Sequence, residues 1–246
     1  MIKTTREWFD DNGRNAKAVI GLSGGKDSAI SAAILAEALG HGRIIGVSMP
    51  DGIQTDIMDA IRVAELLDIE LMTVNISEAK RELFKSIRRN KNLGNTPKFE
   101  ISKDAEINTP PRLRMAALYA IAASCPTGGM VINNGNASER YVGYFTKFGD
   151  GAGDFAPLAD YTVTELLEIG KELCLPEELV IKTPSDGLSG MSDEEKLGFS
   201  YAILDKYILT GECENQAVKA RIDQMHRTCI HKLKTIPFCT KLRETA

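Results

Sequence analysis

The run Val19-Ile20-Gly21-Leu22-Ser23-Gly24-Gly25-Lys26-Asp27-Ser28 passes from a short apolar stretch through small residues into a helical pattern, and it restricts the fold more sharply than any other segment. Glycines at 21, 24 and 25 let the backbone take conformations closed to other residues, so that several N–H groups can converge on one anion. Ser23 and Ser28 add hydroxyl donors. The helix expected to begin near Asp27 carries Ile30, Ala33, Ile34 and Ala38 on one face and stops at Gly40, which aims the positive end of its dipole into the loop. The expected ligand is a phosphate, held by Gly21, Leu22, Ser23, Gly24, Gly25, Lys26, Asp27 and Ser28.

The string is not a Walker loop. That motif needs four residues between its glycines and a hydroxyl residue after its lysine. Gly21 and Gly25 have three residues between them, and Lys26 is followed by Asp27. A carboxylate at that place repels phosphate unless a divalent cation lies between them, so Asp27 is a candidate magnesium ligand.

The rest of the chain alternates strand and helix. Apolar runs predict strands at Ala18–Leu22, Arg43–Met49, Glu70–Val74 and Met130–Asn133, with a fifth near Val180–Lys182. Between them lie helical patterns over Asp56–Leu67, with Ile57, Ala60, Ile61 and Ala64 inward, and over Ser77–Arg89, with Leu83, Phe84 and Ile87 inward. Thr109-Pro110 predicts the start of a helix running to about Cys125. Capping-box pairs Thr162/Glu165 and Ser192/Glu195 mark two later starts. Residues Asn90–Asn108, polar and containing Gly94 and Pro97, read as a long loop and a candidate lid. This alternation predicts one α/β domain over residues 1–246, with a parallel, doubly wound, Rossmann-like sheet covered on both faces.

Composition excludes several classes. With 246 residues, 43% of them hydrophobic, the chain can bury one substantial core. Its 34 acidic and 30 basic residues are interspersed and leave a net charge of −4, so no nucleic-acid footprint is expected. The richest basic stretch, from Lys219 to Lys234, reads as a solvated helix face with cations toward the helix end. Cys125, Cys174, Cys213, Cys229 and Cys239 show no C-x-x-C pair and no metal-ligand spacing, which, with no secretory signal, predicts a reducing, cytoplasmic setting. No apolar run is long enough to span a membrane, and no membrane partner is expected.

A second informative stretch runs from Val131-Ile132-Asn133-Asn134-Gly135-Asn136-Ala137-Ser138-Glu139 to Gly143-Tyr144-Phe145-Thr146-Lys147-Phe148-Gly149-Asp150-Gly151-Ala152-Gly153-Asp154. A strand ends at Asn133, and a turn of small residues delivers Glu139. Ligands of open α/β sheets bind at the carboxyl ends of the strands, so Glu139 can face Asp27 there and share one magnesium with it.

Ser23–Ser28 resembles the S-G-G-x-D-S loop of the N-type ATP pyrophosphatases, of the adenine nucleotide alpha hydrolase-like fold, which activate a substrate by adenylation. Gly143–Asp150, followed shortly by Asp154, is similar to the signature of the ammonia-dependent NAD synthetases within that superfamily. Further matches in order are Arg112–Met115, Lys182–Leu188, Asp193-Glu194, Leu197-Gly198 and His231-Lys232, so the resemblance covers nearly the whole chain. It implies an ATP-dependent ligase that adenylates the nicotinate carboxylate of deamido-NAD. Ammonia then displaces AMP to give NAD, with pyrophosphate as the other product.

By that resemblance Asp27 and Glu139 hold magnesium and, with Lys147, form the catalytic set. ATP is held by the loop with Asn134 and Ser185. Arg112, Lys147, Asp154, His231 and Lys232 hold deamido-NAD. A homodimer is implied, with the dinucleotide site at its interface. Ammonia would come free or from a separate source, because no glutaminase domain is expected in this length. Ser185 stands where a threonine is usual, and the hydroxyl is kept. Asn134 replaces a frequent threonine, Val163 a lysine and Ser48 an arginine, and Lys26 offers charge that these changes remove. The competing readings are another adenylating synthetase and a nucleotide-binding relative without turnover.

Overall fold

Four short apolar runs form one parallel sheet because each is flanked by amphipathic or apolar helices that can bury both of its faces. In the computed structural model, residues 1–52, 57–89, 100–180 and 192–234 are described. The elements in chain order are α1 (Ile2–Asn12), β1 (Lys17–Gly21), α2 (Lys26–Leu39), β2 (Ile44–Ser48), α3 (Ile57–Leu66), β3 (Glu70–Thr73), α4 (Ser77–Arg89), α5 (Lys103–Ser124), β4 (Gly129–Ile132), α6 (Ala137–Val142), α7 (Val163–Glu172), α8 (Glu177–Val180), α9 (Asp193–Leu197), α10 (Tyr201–Thr210) and α11 (Gln216–Leu233).

The strand order is β3-β2-β1-β4, with every pairing parallel. Alternate side chains of each strand go to opposite layers. Ala18 and Ile20 of β1, Ile44 of β2 and Ile132 of β4 join Phe9 of α1, most of α2 and Leu166 of α7 on one face. Val19, Ile45, Val47 and Val131 meet Met115, Leu118 and Ala122 of α5 on the other. A smaller helical cluster stands beside the sheet, where Val142, Val163, Leu197, Tyr201, Leu204 and Ile222 from α6, α7, α9, α10 and α11 pack together.

The four principal strands and the helix Ser77–Arg89 match the sequence expectation, and both capping boxes form, at Thr162/Glu165 and Ser192/Glu195. Four expectations are corrected. The helix through Pro110 starts earlier: Ser102 caps it, its side chain accepting from Ala105 N at 3.2 Å, and Pro110 and Pro111 lie inside it. The loop expected to reach Asn108 therefore ends at Ser102 among the described residues. Leu83 is 42% exposed, because α4 turns only Phe84 fully inward. Val180 ends the short helix α8 instead of opening a strand. Residues 181–182 of that call, Asp56 and residues 90–99 of the candidate lid lie outside the described residues.

Candidate active site

The strand order reverses between β1 and β4, so the loops that leave their carboxyl ends diverge and leave a crevice, the place where such sheets bind ligands. Both sequence motifs open into it.

The first loop is shaped by its own hydroxyls. Gly24 takes φ +78°, a left-handed conformation that glycine adopts without a Cβ penalty. Ser23 Oγ accepts from Gly25 N at 3.2 Å, and Ser28 Oγ donates to Gly25 O at 2.9 Å. Helix α2 has no side-chain cap, so its first-turn amides keep their donors for a ligand. Lys26 is only 5% exposed, and its ammonium lies 3.0 Å from Asp27 Oδ2. Asp27 Oδ1 is buried with no partner among the described residues.

The second loop is built by asparagines. Asn134 crosses to β1, its Nδ2 donating to Gly21 O at 2.9 Å, while its Oδ1 is buried without a partner. Asn136 caps α6 in a reciprocal box with Glu139: Glu139 N donates to Asn136 Oδ1 at 2.9 Å, and Asn136 N donates to Glu139 Oε2 at 3.3 Å. The box fixes the Glu139 carboxyl against the start of the helix. Burial first, and then the neighbouring Asp27 carboxylate, push the Glu139 carboxyl up to about 8, with Lys26 and the Asn136 amide acting in the opposite sense.

Among the described residues no group of three or more His, Cys, Asp or Glu is arranged to hold a metal ion. Magnesium is commonly held by one or two carboxylates plus substrate phosphates. The orphaned Asp27 Oδ1 beside an anion loop fits that chemistry.

Arg112, Lys147 and Lys232 donate to backbone carbonyls at the rim, one of them that of His231. Arg112 Nε donates to Lys147 O at 3.2 Å, and Lys147 Nζ donates to His231 O at 2.8 Å. Lys232 Nζ donates to Gly143 O at 2.7 Å and Phe145 O at 2.8 Å. Asp154 stands apart from them. Its two oxygens accept from Val131 N at 2.7 Å and Tyr119 OH at 3.1 Å, tying it to the outer edge of β4, where Phe155 also forms a parallel bridge to Ile132. Ser185 lies outside the described residues.

Three further groups belong to the crevice; Arg114 fell inside the Arg112–Met115 match without a role, and the sequence assigned no role to Asn133 or Tyr201. Arg114 donates from Nε to Met49 O at 2.9 Å, with Asp51 and Asp150 nearby opposing the fall in its pKa that burial causes. Asn133 donates to Asp150 O and Ala152 O, both at 2.7 Å, and so ties the second motif to β4. Tyr201 is 4% exposed, and its buried hydroxyl has no partner among the described residues. Burial, and next the Glu139 carboxylate, push that phenol up. The only signal for Tyr201 in the sequence was its place one residue after Ser200, which caps α10.

Of the departures, Val163 is buried in the helical cluster and Ser48 closes β2, where its carbonyl accepts from Val74 N at 2.8 Å. Neither position presents a cation.

A profile of the NAD synthase family matches residues 3–236. An NH(3)-dependent NAD(+) synthetase of Carboxydothermus hydrogenoformans is 37% identical over 235 residues, covering 94% of this chain and 92% of the relative. Among solved structures, an NMN synthetase from Francisella tularensis superposes with a TM-score of 0.83 at 33% identity, covering 97% of this chain and 96% of that one. A NAD+ synthetase from Burkholderia pseudomallei superposes with a TM-score of 0.74 at 26% identity, covering 94% and 87%.

Proposed function

The chain belongs to the NAD synthase family, and from that membership we propose that it is an ammonia-dependent NAD synthetase, an ATP-dependent carbon–nitrogen ligase that amidates the nicotinate carboxylate of deamido-NAD. The observation that carries this reading to the level of chemistry is the crevice between β1 and β4, where an uncapped helix start, a carboxylate pair and a cationic rim meet.

A carboxylate resists ammonia because its charge repels nucleophiles and oxide is a poor leaving group. Transfer of AMP from ATP to the carboxylate oxygen supplies a good leaving group. Asp27 and Glu139 would hold magnesium, which offsets the phosphate charge that develops as pyrophosphate departs. The α2 amides and the hydroxyls of Ser23 and Ser28 bind the β- and γ-phosphates in place, and Asn134, with Ser185, contacts the nucleotide. Lys147, Arg112, His231 and Lys232 bind the phosphate-bearing body of the second substrate and orient its carboxylate toward the α-phosphorus; Asp154 flanks them from β4. With no covalent nucleophile in this scheme, positioning supplies much of the rate.

The TM-score of 0.83 to an NMN synthetase favours a second reading of the acceptor, nicotinate mononucleotide. It carries the same reactive carboxylate and lacks the adenylate half. The protein incubated with ATP, magnesium, ammonium and either acceptor distinguishes the two by the ratio of kcat/KM. NAD with stoichiometric AMP is the expected result. ADP as the stoichiometric product overturns the adenylation reading.

A homodimer belongs to the same proposal. It is supported by Leu83 of α4 and by Ile107 and Tyr119 of α5, large apolar side chains left exposed on one side of the sheet. A cytoplasmic setting is supported by the four described cysteines, all unpaired thiols.

A further inference from the structure

Lys26 occupies the first position of α2, inside the phosphate loop, yet its side chain turns inward and is almost wholly buried. An ammonium has three donors and needs partners when water is excluded. That of Lys26 donates to Asp27 Oδ2 at 3.0 Å. The Glu139 carboxyl lies close enough to feel both Asp27 and Lys26. Two carboxylates delivered from separate strand-end turns repel each other, and among the described residues the cation that acts on both is Lys26.

We propose that the Lys26 ammonium is the resident counter-ion of the Asp27–Glu139 pair, holding the place of the metal until nucleotide arrives. A divalent cation entering the pair alone must evict a bonded ammonium that has nowhere better to go. Cation and ATP entering together bring anionic phosphates to the uncapped start of α2, and the flexible four-carbon stem lets Lys26 swing from Asp27 onto them. Metal and ATP binding are then positively coupled through one side chain, and the coupling is reciprocal. Lys26 thereby keeps the carboxylates poised and the site closed to metal without substrate. The inference rests on the proposed role of Asp27 and Glu139 as metal carboxylates.

The test is binding of Mn2+, as a magnetic stand-in for magnesium, to the nucleotide-free protein, followed by electron paramagnetic resonance. Lys26→Met keeps an unbranched chain without the charge, and Lys26→Arg keeps the charge. Lys26→Met should bind Mn2+ about tenfold more tightly than wild type, the lower end of the couplings measured for close charge pairs. Lys26→Arg should remain as weak as wild type. In the presence of α,β-methylene-ATP, the gain in Mn2+ affinity should be smaller in Lys26→Met than in wild type. A methionine variant whose Mn2+ affinity is unchanged or weaker overturns the proposal. If Lys26→Met does not fold, Lys26→Gln carries the same comparison. Glu139→Gln separates the two levels of inference. If it binds Mn2+ as wild type does, the metal reading itself fails; if it is weakened while Lys26→Met equals wild type, only the resident cation fails.

Discussion

Removing the carboxylate of Asp205 should loosen the helix that carries Glu139, although Asp205 lies on α10, outside both sequence motifs. It is 2% exposed and accepts three hydrogen bonds, from Ser138 Oγ at 2.5 Å, Thr164 N at 2.8 Å and Thr164 Oγ1 at 2.7 Å. Ser138 Oγ in turn accepts from Val163 N at 3.0 Å. One buried carboxylate thus joins the starts of α6 and α7, one residue from Glu139. Hydrogen bonds to a charged group contribute about 1.5–3 kcal/mol each. Thr164 is exposed and regains water when the carboxylate is lost, whereas Ser138 is fully buried and does not. Discounting the two Thr164 bonds for that rehydration leaves about 3 kcal/mol for Asp205→Ala. Asp205→Asn keeps an acceptor for Thr164 and offers a donor to Ser138 Oγ, so it should cost about 1 kcal/mol. For a chain of this length, 3 kcal/mol corresponds to a fall in Tm of about 6–12 °C. Urea unfolding of both variants at pH 7, with Ser138→Ala to close a double-mutant cycle, measures these terms. A loss below about 1 kcal/mol for Asp205→Ala, or equal losses for alanine and asparagine, refutes the bridging role.

The remaining predictions concern the crevice. Because the Glu139 carboxyl is raised to about 8, a cation entering below that pH displaces a proton. Mn2+ affinity should therefore climb from pH 6 to 8 and level off above it, with a flat profile in Glu139→Gln. In the metal-free protein the sign for stability is the opposite. A folded value above the unfolded one favours the fold most below the unfolded pKa, and that contribution is lost as pH rises through about 8, which thermal melts across pH 5–9 will show. Asp27→Asn and Glu139→Gln should each remove most magnesium-dependent ATP–pyrophosphate exchange while circular dichroism stays unchanged, since each deletes charge with little change of shape. Lys147→Ala should raise KM for deamido-NAD several-fold more than KM for ATP; equal effects on both would detach it from the acceptor side.

What the sequence makes legible here is whatever local physics decides. The apolar runs at 18–22 and 43–49, the glycines of the first loop and both capping boxes owe nothing to distant residues, and they appear in the structure where expected. The start of α5 went wrong through a competition between two local signals. Thr109-Pro110 is a good helix start, but Ser102 with Asp104 is another, two turns earlier. A helix can run through Pro110 and Pro111 because the residues a turn before them, Glu106 and Ile107, are exposed, and water can serve carbonyls that prolines leave without donors. Tyr201 and Asp205 were illegible for a different reason. Each takes its place only through the packing of the helical cluster, and nothing within a few residues of them distinguishes them from core.

On the proposed reading, the residues of the cationic rim would serve binding and structure at once. Lys147, Lys232 and Arg112 all donate to backbone carbonyls, so in this arrangement their charge fixes the path of residues 143–147 against the end of α11. The approach is close: at Gly143, with φ +70°, an added Cβ would lie 2.1 Å from the Cβ of Cys229. Neutral carbonyls are weaker partners for a cation than phosphate oxygens, which carry the opposite charge and can take Arg in a bidentate pair. An anionic substrate arriving at the rim can therefore draw these side chains away from the carbonyls. The fold keeps its register meanwhile through Asn133, whose bonds to Asp150 and Ala152 involve no charge and have no reason to yield. Exchangeable charged bonds at the rim, backed by neutral ones at the strand end, let the crevice accept a substrate without losing the geometry of the carboxylate pair behind it.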